Sequence, residues 1–82
     1  MKLADFEKVH HGCAAVYDVR RGNLRQTKVE EIKLDYEMMS PEEIMSAKEA
    51  RDKYLDYEVA DLRPIYLDHW TRAGILVSIY ID

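Results

Sequence analysis

Two stretches of the chain alternate apolar and polar side chains, and this alternation predicts β-strands. In residues 13–20, every second side chain from Ala15 to Val19 is apolar, so one side of an extended chain would be dry. In residues 29–38, a seven-residue run that starts at Ile32 alternates apolar and charged side chains without a fault. Such a run is typical of a half-buried antiparallel strand.

A third strand is predicted near residues 74–81, where the chain is apolar on both faces and rich in β-branched residues. We expect it in the interior of a sheet, with a helix on one side. Its other side needs a second layer, which a dimer partner or the N-terminal segment could supply. Gly22-Asn23 tolerates positive φ and predicts the turn of a hairpin between the first two strands.

Residues 41–57 are predicted to form an amphipathic helix that covers one face of this sheet. Ser40 is a suitable N-cap, Pro41 suits the first helical position, and Glu43 completes a capping box. Apolar side chains then recur at three- and four-residue steps. The same spacing predicts a short N-terminal helix over residues 2–11, which Gly12 would end.

The fold class predicted from these patterns is α+β, a small antiparallel sheet packed against one amphipathic helix in a single domain, residues 1–82. A mostly α fold remains an alternative. Residues 3–20 also carry a stripe at helical spacing, in which Gly12 would cost about 1 kcal/mol relative to Ala. Thr27 and Glu30 offer a second capping box before a helical apolar pattern. Residues 59–64 are interpreted as a connection, and residues 65–67 as a short edge strand.

Charge is distributed unevenly along this acidic chain, whose formal net charge is −4. Residues 1–28 carry a net charge of +3, residues 29–58 a net charge of −6, and residues 59–82 a net charge of −1. A solvated helix face explains much of the acidic middle. The alternative is an acidic surface that docks on a basic partner.

We therefore predict a small acidic protein-binding or regulatory protein. One concrete form is an inhibitor of the kind that phages and mobile elements encode, which blocks a nucleic-acid-binding enzyme by presenting carboxylates in place of phosphates. Six tyrosines against one phenylalanine also favour an interface, because Tyr has an apolar body and a polar tip. The residues predicted to contact a partner are Glu42, Glu43, Glu49, Asp52 and Tyr57 with the helix, and Arg20, Arg21 and Arg25 around the turn.

Candidate chemistry is sparse. His10, His11 and Cys13 lie within four residues, but a zinc site needs about four ligands and no second cysteine exists. The same residues, with Asp18 or Asp68, would make a nucleophile, a base and an orienting group only if the fold brought them together. P-loop, Gly-rich dinucleotide and HExxH motifs are absent from the sequence. No catalytic residue, metal or cofactor is predicted, and an enzyme is the less favoured class.

Two alternatives to the binding protein remain open. The first is a small-molecule enzyme or sensor with a pocket between helix and sheet, which would use His10, His11, Cys13, His69 or Trp70. The second is an accessory subunit of a larger assembly. A protein partner is expected, self-association as a homodimer is an option, and the low pI near 5.3 argues against nucleic acid as the direct ligand. The single cysteine and the lack of a signal peptide or membrane-spanning run predict a cytoplasmic protein.

Overall fold

Two helices and four strands follow one another in the order α1, β1, β2, α2, β3, β4. The computed structural model describes residues 1–10, 14–22, 27–68 and 72–81. The elements are α1 Leu3–Val9, β1 Ala14–Arg21, β2 Thr27–Leu34, α2 Pro41–Asp52, β3 Val59–Leu67 and β4 Arg72–Tyr80. The α+β fold class predicted from the sequence is confirmed.

The four strands form one sheet in the order β2-β1-β4-β3. β1 pairs antiparallel with β2, and β3 pairs antiparallel with β4, so each half of the chain contributes one hairpin. The two hairpins meet where β1 runs parallel to β4, with Tyr17 beside Val77. The predicted interior strand near 74–81 is therefore β4, although the sheet is mixed and not purely antiparallel. Gly22, with φ of +102°, begins the predicted turn, and Asn23 lies outside the described residues.

Both helices pack on the same face of the sheet. The core consists of side chains that point to this face from β1, β2 and β4, together with side chains of the helices. Its buried members are Leu3, Phe6, Ala15, Tyr17, Val19, Ile32, Leu34, Ala47, Tyr54, Val77 and Ile79. The N-terminal helix consequently does not supply a second layer for the opposite face of the sheet.

Helix α2 ends at Asp52, five residues before the predicted end at residue 57. The capping box at its start is as predicted, because Ser40 Oγ accepts from Glu43 N and Glu43 Oε1 accepts from Ser40 N. At its other end the chain turns toward α1. The carbonyls of Leu55 and Tyr57 accept the N–H groups of Ala4 and Leu3, at 2.9 and 3.0 Å. These bonds satisfy free donors of α1, and a continuing α2 would not supply them.

Strand β2 ends at Leu34, four residues before the predicted end at residue 38. Asp35 leaves the strand because its Oδ1 accepts the backbone N–H of Glu37 and starts a turn.

The edge strand predicted at residues 65–67 is longer than expected. β3 spans nine residues, including those interpreted as a connection, and Pro64 is tolerated because β3 is an edge strand.

Arg72 ties the end of β2 to the β3–β4 hairpin. Its Nη1 and Nη2 atoms donate to the two oxygens of Asp35 at 2.9 and 2.5 Å, and its Nε donates to Asp68 at 2.5 Å. Asp35 is only 1% exposed. The pairing with Arg72 lowers the pKa of this carboxyl to about 2.

Candidate functional site

The outward side of α2 carries most of the carboxylates predicted to bind a partner. Glu42, Met45, Glu49 and Asp52 recur at three- and four-residue steps, and all four are exposed. We call these four residues the acidic helix face. They lie opposite Ala47, which is buried against the sheet.

An apolar depression lies within the acidic helix face. A cavity of about 390 Å³ is lined by Pro41, Ile44, Met45, Lys48, Glu49 and Asp52. Met45 is 64% exposed, and Met38, before the helix, is 68% exposed. Exposed methionines adapt to varied partner shapes, and an apolar centre with a charged rim is typical of protein interfaces.

Two of the predicted carboxylates also have partners within the protein. Glu43 forms the capping box, and the hydrogen bond from the Ser40 backbone lowers its pKa. It faces a groove between α2 and β2 that Glu30 also lines. Asp52 Oδ1 accepts from Arg51 at 2.8 Å, which leaves its second oxygen for an external contact.

The remaining predicted contact residues lie elsewhere. Tyr57 follows α2 in the segment beside α1, with its ring 6.1 Å from that of Tyr54. Arg20 projects from the face of the sheet opposite the helices and pairs with Asp18 at 3.0 Å. Arg21 is exposed at the end of β1, and Arg25 lies outside the described residues. The structure thus does not join Arg20 to the acidic helix face.

A buried polar network lies between the two helices and β1. The Tyr17 hydroxyl donates to Glu7, whose other oxygen accepts from Arg51 Nη1 at 2.9 Å. Tyr17 is fully buried, so burial first and the Glu7 carboxylate second raise the pKa of its phenol. The alternating pattern of residues 15–19 predicts a dry side for Tyr17, but nothing local in the chain indicates its partners 10 and 34 positions away.

A pocket of about 220 Å³ opens beside this network, between the helices and the sheet. Its lining residues are Glu7, His10, Ala15, Leu34, Tyr36, Lys48 and Arg51. His10 stacks on Phe6 with ring centroids 4.9 Å apart, and Lys48 Nζ lies 5.2 Å from the Tyr36 ring centroid. His10 was among the residues expected in a helix–sheet pocket. The others, His11, Cys13, His69 and Trp70, lie outside the described residues.

The face of the sheet without helices is the open face, formed by Val16, Asp18, Arg20, Glu31, Asp61, Arg63, Leu76, Ser78 and Tyr80 and their strand neighbours. Most of its charges are paired within the face, and Lys33, beside Val16, belongs to none of these ion pairs. Besides Asp18 with Arg20, Lys28 contacts Glu31 at 2.9 Å and Arg63 contacts Asp61 at 2.6 Å. Val16 and Leu76 are half-buried on the open face. The exposed carboxylates of the acidic helix face lie on the other side of the molecule from the open face, on α2.

Within residues 1–10, 14–22, 27–68 and 72–81, no group of three His, Cys, Asp or Glu side chains is arranged to hold a metal ion. Among the same residues, no helix is long and apolar enough to cross a membrane.

Comparisons of the chain with protein-family models, with curated proteins and with solved structures find no match. The candidate site is therefore identified from the geometry of the structure.

Proposed function

We propose that the protein binds and regulates a basic protein partner through the acidic helix face. The observation that carries this proposal is a cavity lined by the exposed Met45 together with Glu49 and Asp52, whose two carboxylates outnumber the one cation of the lining, Lys48. An apolar anchor supplies contact area, while the surrounding carboxylates select a cationic partner and accelerate the encounter.

A nucleic-acid-binding enzyme fits this chemistry. Such an enzyme presents lysines and arginines that neutralise phosphates, and carboxylates on a rigid helix can occupy the same positions. Glu42 and Glu49 are seven residues, about two helical turns, apart, so their negative charges are spaced along one line of α2. The protein would then act as an inhibitor that competes with nucleic acid.

The test compares two variants that have the same net charge. One carries Glu42→Gln, Glu49→Gln and Asp52→Asn, and the other carries Asp5→Asn, Asp56→Asn and Glu58→Gln. Each changes the formal net charge from −4 to −1, but only the first alters the acidic helix face. The wild type and both variants serve as bait in extracts of the encoding organism, and retained proteins are quantified by mass spectrometry.

We expect the wild type and the second variant to retain the same basic protein. The first variant should retain at least about tenfold less of it, because several charges of the interface are lost. Double-stranded DNA added to the extract should displace it. Equal retention by both variants would contradict the role of the acidic helix face. Retention that DNA does not affect would contradict inhibition by competition with nucleic acid. Circular dichroism of each variant verifies that α2 is intact.

A second candidate property is self-association through the open face. Most charges of this face are paired within it and Lys33 adds a single positive charge, so a second copy would meet little net repulsion there. The acidic helix face would repel its own copy. A two-fold dimer through the open face would also cover Leu76 and leave the acidic helix face available.

The mass in solution tests this dimer. We expect light scattering coupled to size exclusion to give twice the chain mass of 9.7 kDa, and Leu76→Lys to give the single-chain mass. Leu76 points away from the core, so the substitution leaves the core side chains unchanged. A wild-type monomer, or a dimer unaffected by Leu76→Lys, would contradict an interface at the open face.

A further inference from the structure

The pocket between the helices and the sheet has an apolar floor and a polar rim. Ala15 and Leu34, paired across β1 and β2, form the floor, and both are almost completely buried. His10 and Tyr36 contribute two flat rings to the walls. A pocket of about 220 Å³ is smaller than the sites of drug-sized ligands, which begin at about 300 Å³, so its occupant would be a small molecule.

The charge balance of this pocket is positive, although the whole protein is acidic. Among the described residues that line it, Glu7 is the one carboxylate, and it accepts hydrogen bonds from both Arg51 and the Tyr17 hydroxyl. Arg51 is in turn shared with Asp52 on the outer side of α2. The lining cations are thus Arg51, which is paired, and Lys48.

Lys48 differs from Lys53 in its ionic contacts. In the described part of the chain, its ammonium contacts the Tyr36 ring and lies within ion-pair distance of no carboxylate. Lys53, one helical turn further on, also lies over a tyrosine ring but pairs with Glu30 at 3.2 Å. An ammonium at the rim of an apolar pocket can bind an anionic group while the body of the ligand is buried.

We propose that this pocket binds a small organic monocarboxylate, with its apolar body against Ala15 and Leu34 and its carboxylate on Lys48. Arg51 does not need to leave Glu7 in this arrangement. The Tyr36 ring holds the Lys48 ammonium near the rim by a cation–π contact, which reduces the side-chain entropy lost on binding. None of the four residues of the acidic helix face lines this pocket, although Lys48 also lines the cavity on that face. Binding of the carboxylate does not require a protein partner.

The test is a titration of the ¹⁵N-labelled protein with benzoate, phenylacetate and hexanoate, followed by amide chemical shifts. Benzamide, phenylacetamide and hexanamide serve as neutral counterparts of the same shape. We expect at least one carboxylate to shift the amides of Ala15, Leu34 and Lys48 in a saturable manner. Its amide counterpart should bind at least about tenfold more weakly, because it lacks the charge that Lys48 recognises.

Variants identify the lysine that is responsible. Lys48→Met retains the apolar stem and should weaken carboxylate binding by about tenfold, whereas Lys53→Met should leave it unchanged. The variant with three neutralised carboxylates on the acidic helix face should still bind the probe, so this result is independent of the proposed function. The site would be refuted if no carboxylate shifted these amides, if the neutral amides bound equally well, or if Lys48→Met bound like the wild type.

Discussion

At the scale of single residues, the ion pair between Asp35 and Arg72 is the contact from which we expect a large effect on stability. Both Asp35 oxygens accept from one guanidinium, and the carboxyl is almost fully buried. In the sequence, Asp35 is one of the charged positions of the alternating run 32–38, a pattern that predicts a solvent-facing side chain. Its partner is 37 positions away, and no local pattern indicates such a pairing.

We predict that Asp35→Asn lowers the free energy of unfolding by about 2–4 kcal/mol at pH 7, because Arg72 loses its buried partner. The exposed Asp56→Asn should change it by less than about 0.5 kcal/mol. Urea denaturation followed by circular dichroism measures both. An Asp35→Asn variant as stable as the wild type would show that Asp68 and Glu37 satisfy Arg72 without Asp35.

The same carboxyl predicts a dependence of stability on pH. The pKa of Asp35 is lowered from 3.8 to about 2 on folding. The stability that the ionised Asp35 confers on the folded protein is therefore fully present above pH 3.8 and is lost as the pH falls through about 2. The difference between the two pKa values corresponds to about 2 kcal/mol of unfolding free energy. We expect the gap in unfolding free energy between the wild type and Asp35→Asn to narrow by this amount between pH 5 and pH 2. A constant gap would contradict the lowered pKa.

Two tyrosines should ionise late in an alkaline titration. The hydrogen bond to Glu30 raises the pKa of Tyr54 to about 12, and burial raises that of Tyr17. Since the ordinary pKa is 10.0, the stability conferred by a neutral Tyr17 is fully present below pH 10 and is lost as the pH rises further. Absorbance at 295 nm follows the ionisation, and Tyr17→Phe should remove the last part of the curve. An unchanged curve would contradict burial of a neutral Tyr17.

At the scale of elements, the start of α2 was predictable and its end was not. The capping box is a local code, in which the side chains and the N–H groups that they bind lie within four residues. The end is set by α1, which takes the carbonyls of Leu55 and Tyr57. The acidic helix face could be predicted for the same reason as the cap, since the spacing of carboxylates on one helix is a local property.

We predict that Ser40→Ala destabilises the protein by about 1 kcal/mol, because the Glu43 N–H loses its acceptor. Ser46→Ala, at an exposed position inside the same helix, should be neutral or stabilising by up to about 0.5 kcal/mol. Thermal and urea unfolding of the two variants provide the comparison. Equal effects of the two substitutions would show that the cap does not contribute to stability.

At the scale of the whole molecule, the sequence predicts three strands but not their order. The pairing of β1 with β4 joins residues from opposite ends of the chain, and hydrophobic periodicity carries no information on which strands are neighbours. The sequence predicts too short a β3, because the side chains of this strand are mostly exposed or half-buried and Pro64 interrupts the pattern. The helix–sheet pocket was expected only in outline, since Glu7, Lys48 and Arg51 converge through tertiary packing.

The strand order predicts a pattern of amide hydrogen exchange. β1 and β4 have a neighbouring strand on each side, whereas β2 and β3 are edges. Amides of Tyr17, Val19 and Val77 should therefore exchange slowest, at rates set by global unfolding, and amides of Leu62 and Tyr66 should exchange faster. Equal protection across all four strands would indicate that a further chain covers the edges.

The parallel pairing of β1 with β4 also has a consequence for synthesis of the protein. Each pair in this ladder, from Ala14 with Gly74 to Arg20 with Tyr80, joins residues sixty positions apart. On a ribosome, the first hairpin and α2 emerge while the strand that completes their core is still inside the exit tunnel. The growing chain cannot complete this core until β4 has emerged, and until then its apolar surface is exposed to chaperones and to neighbouring nascent chains.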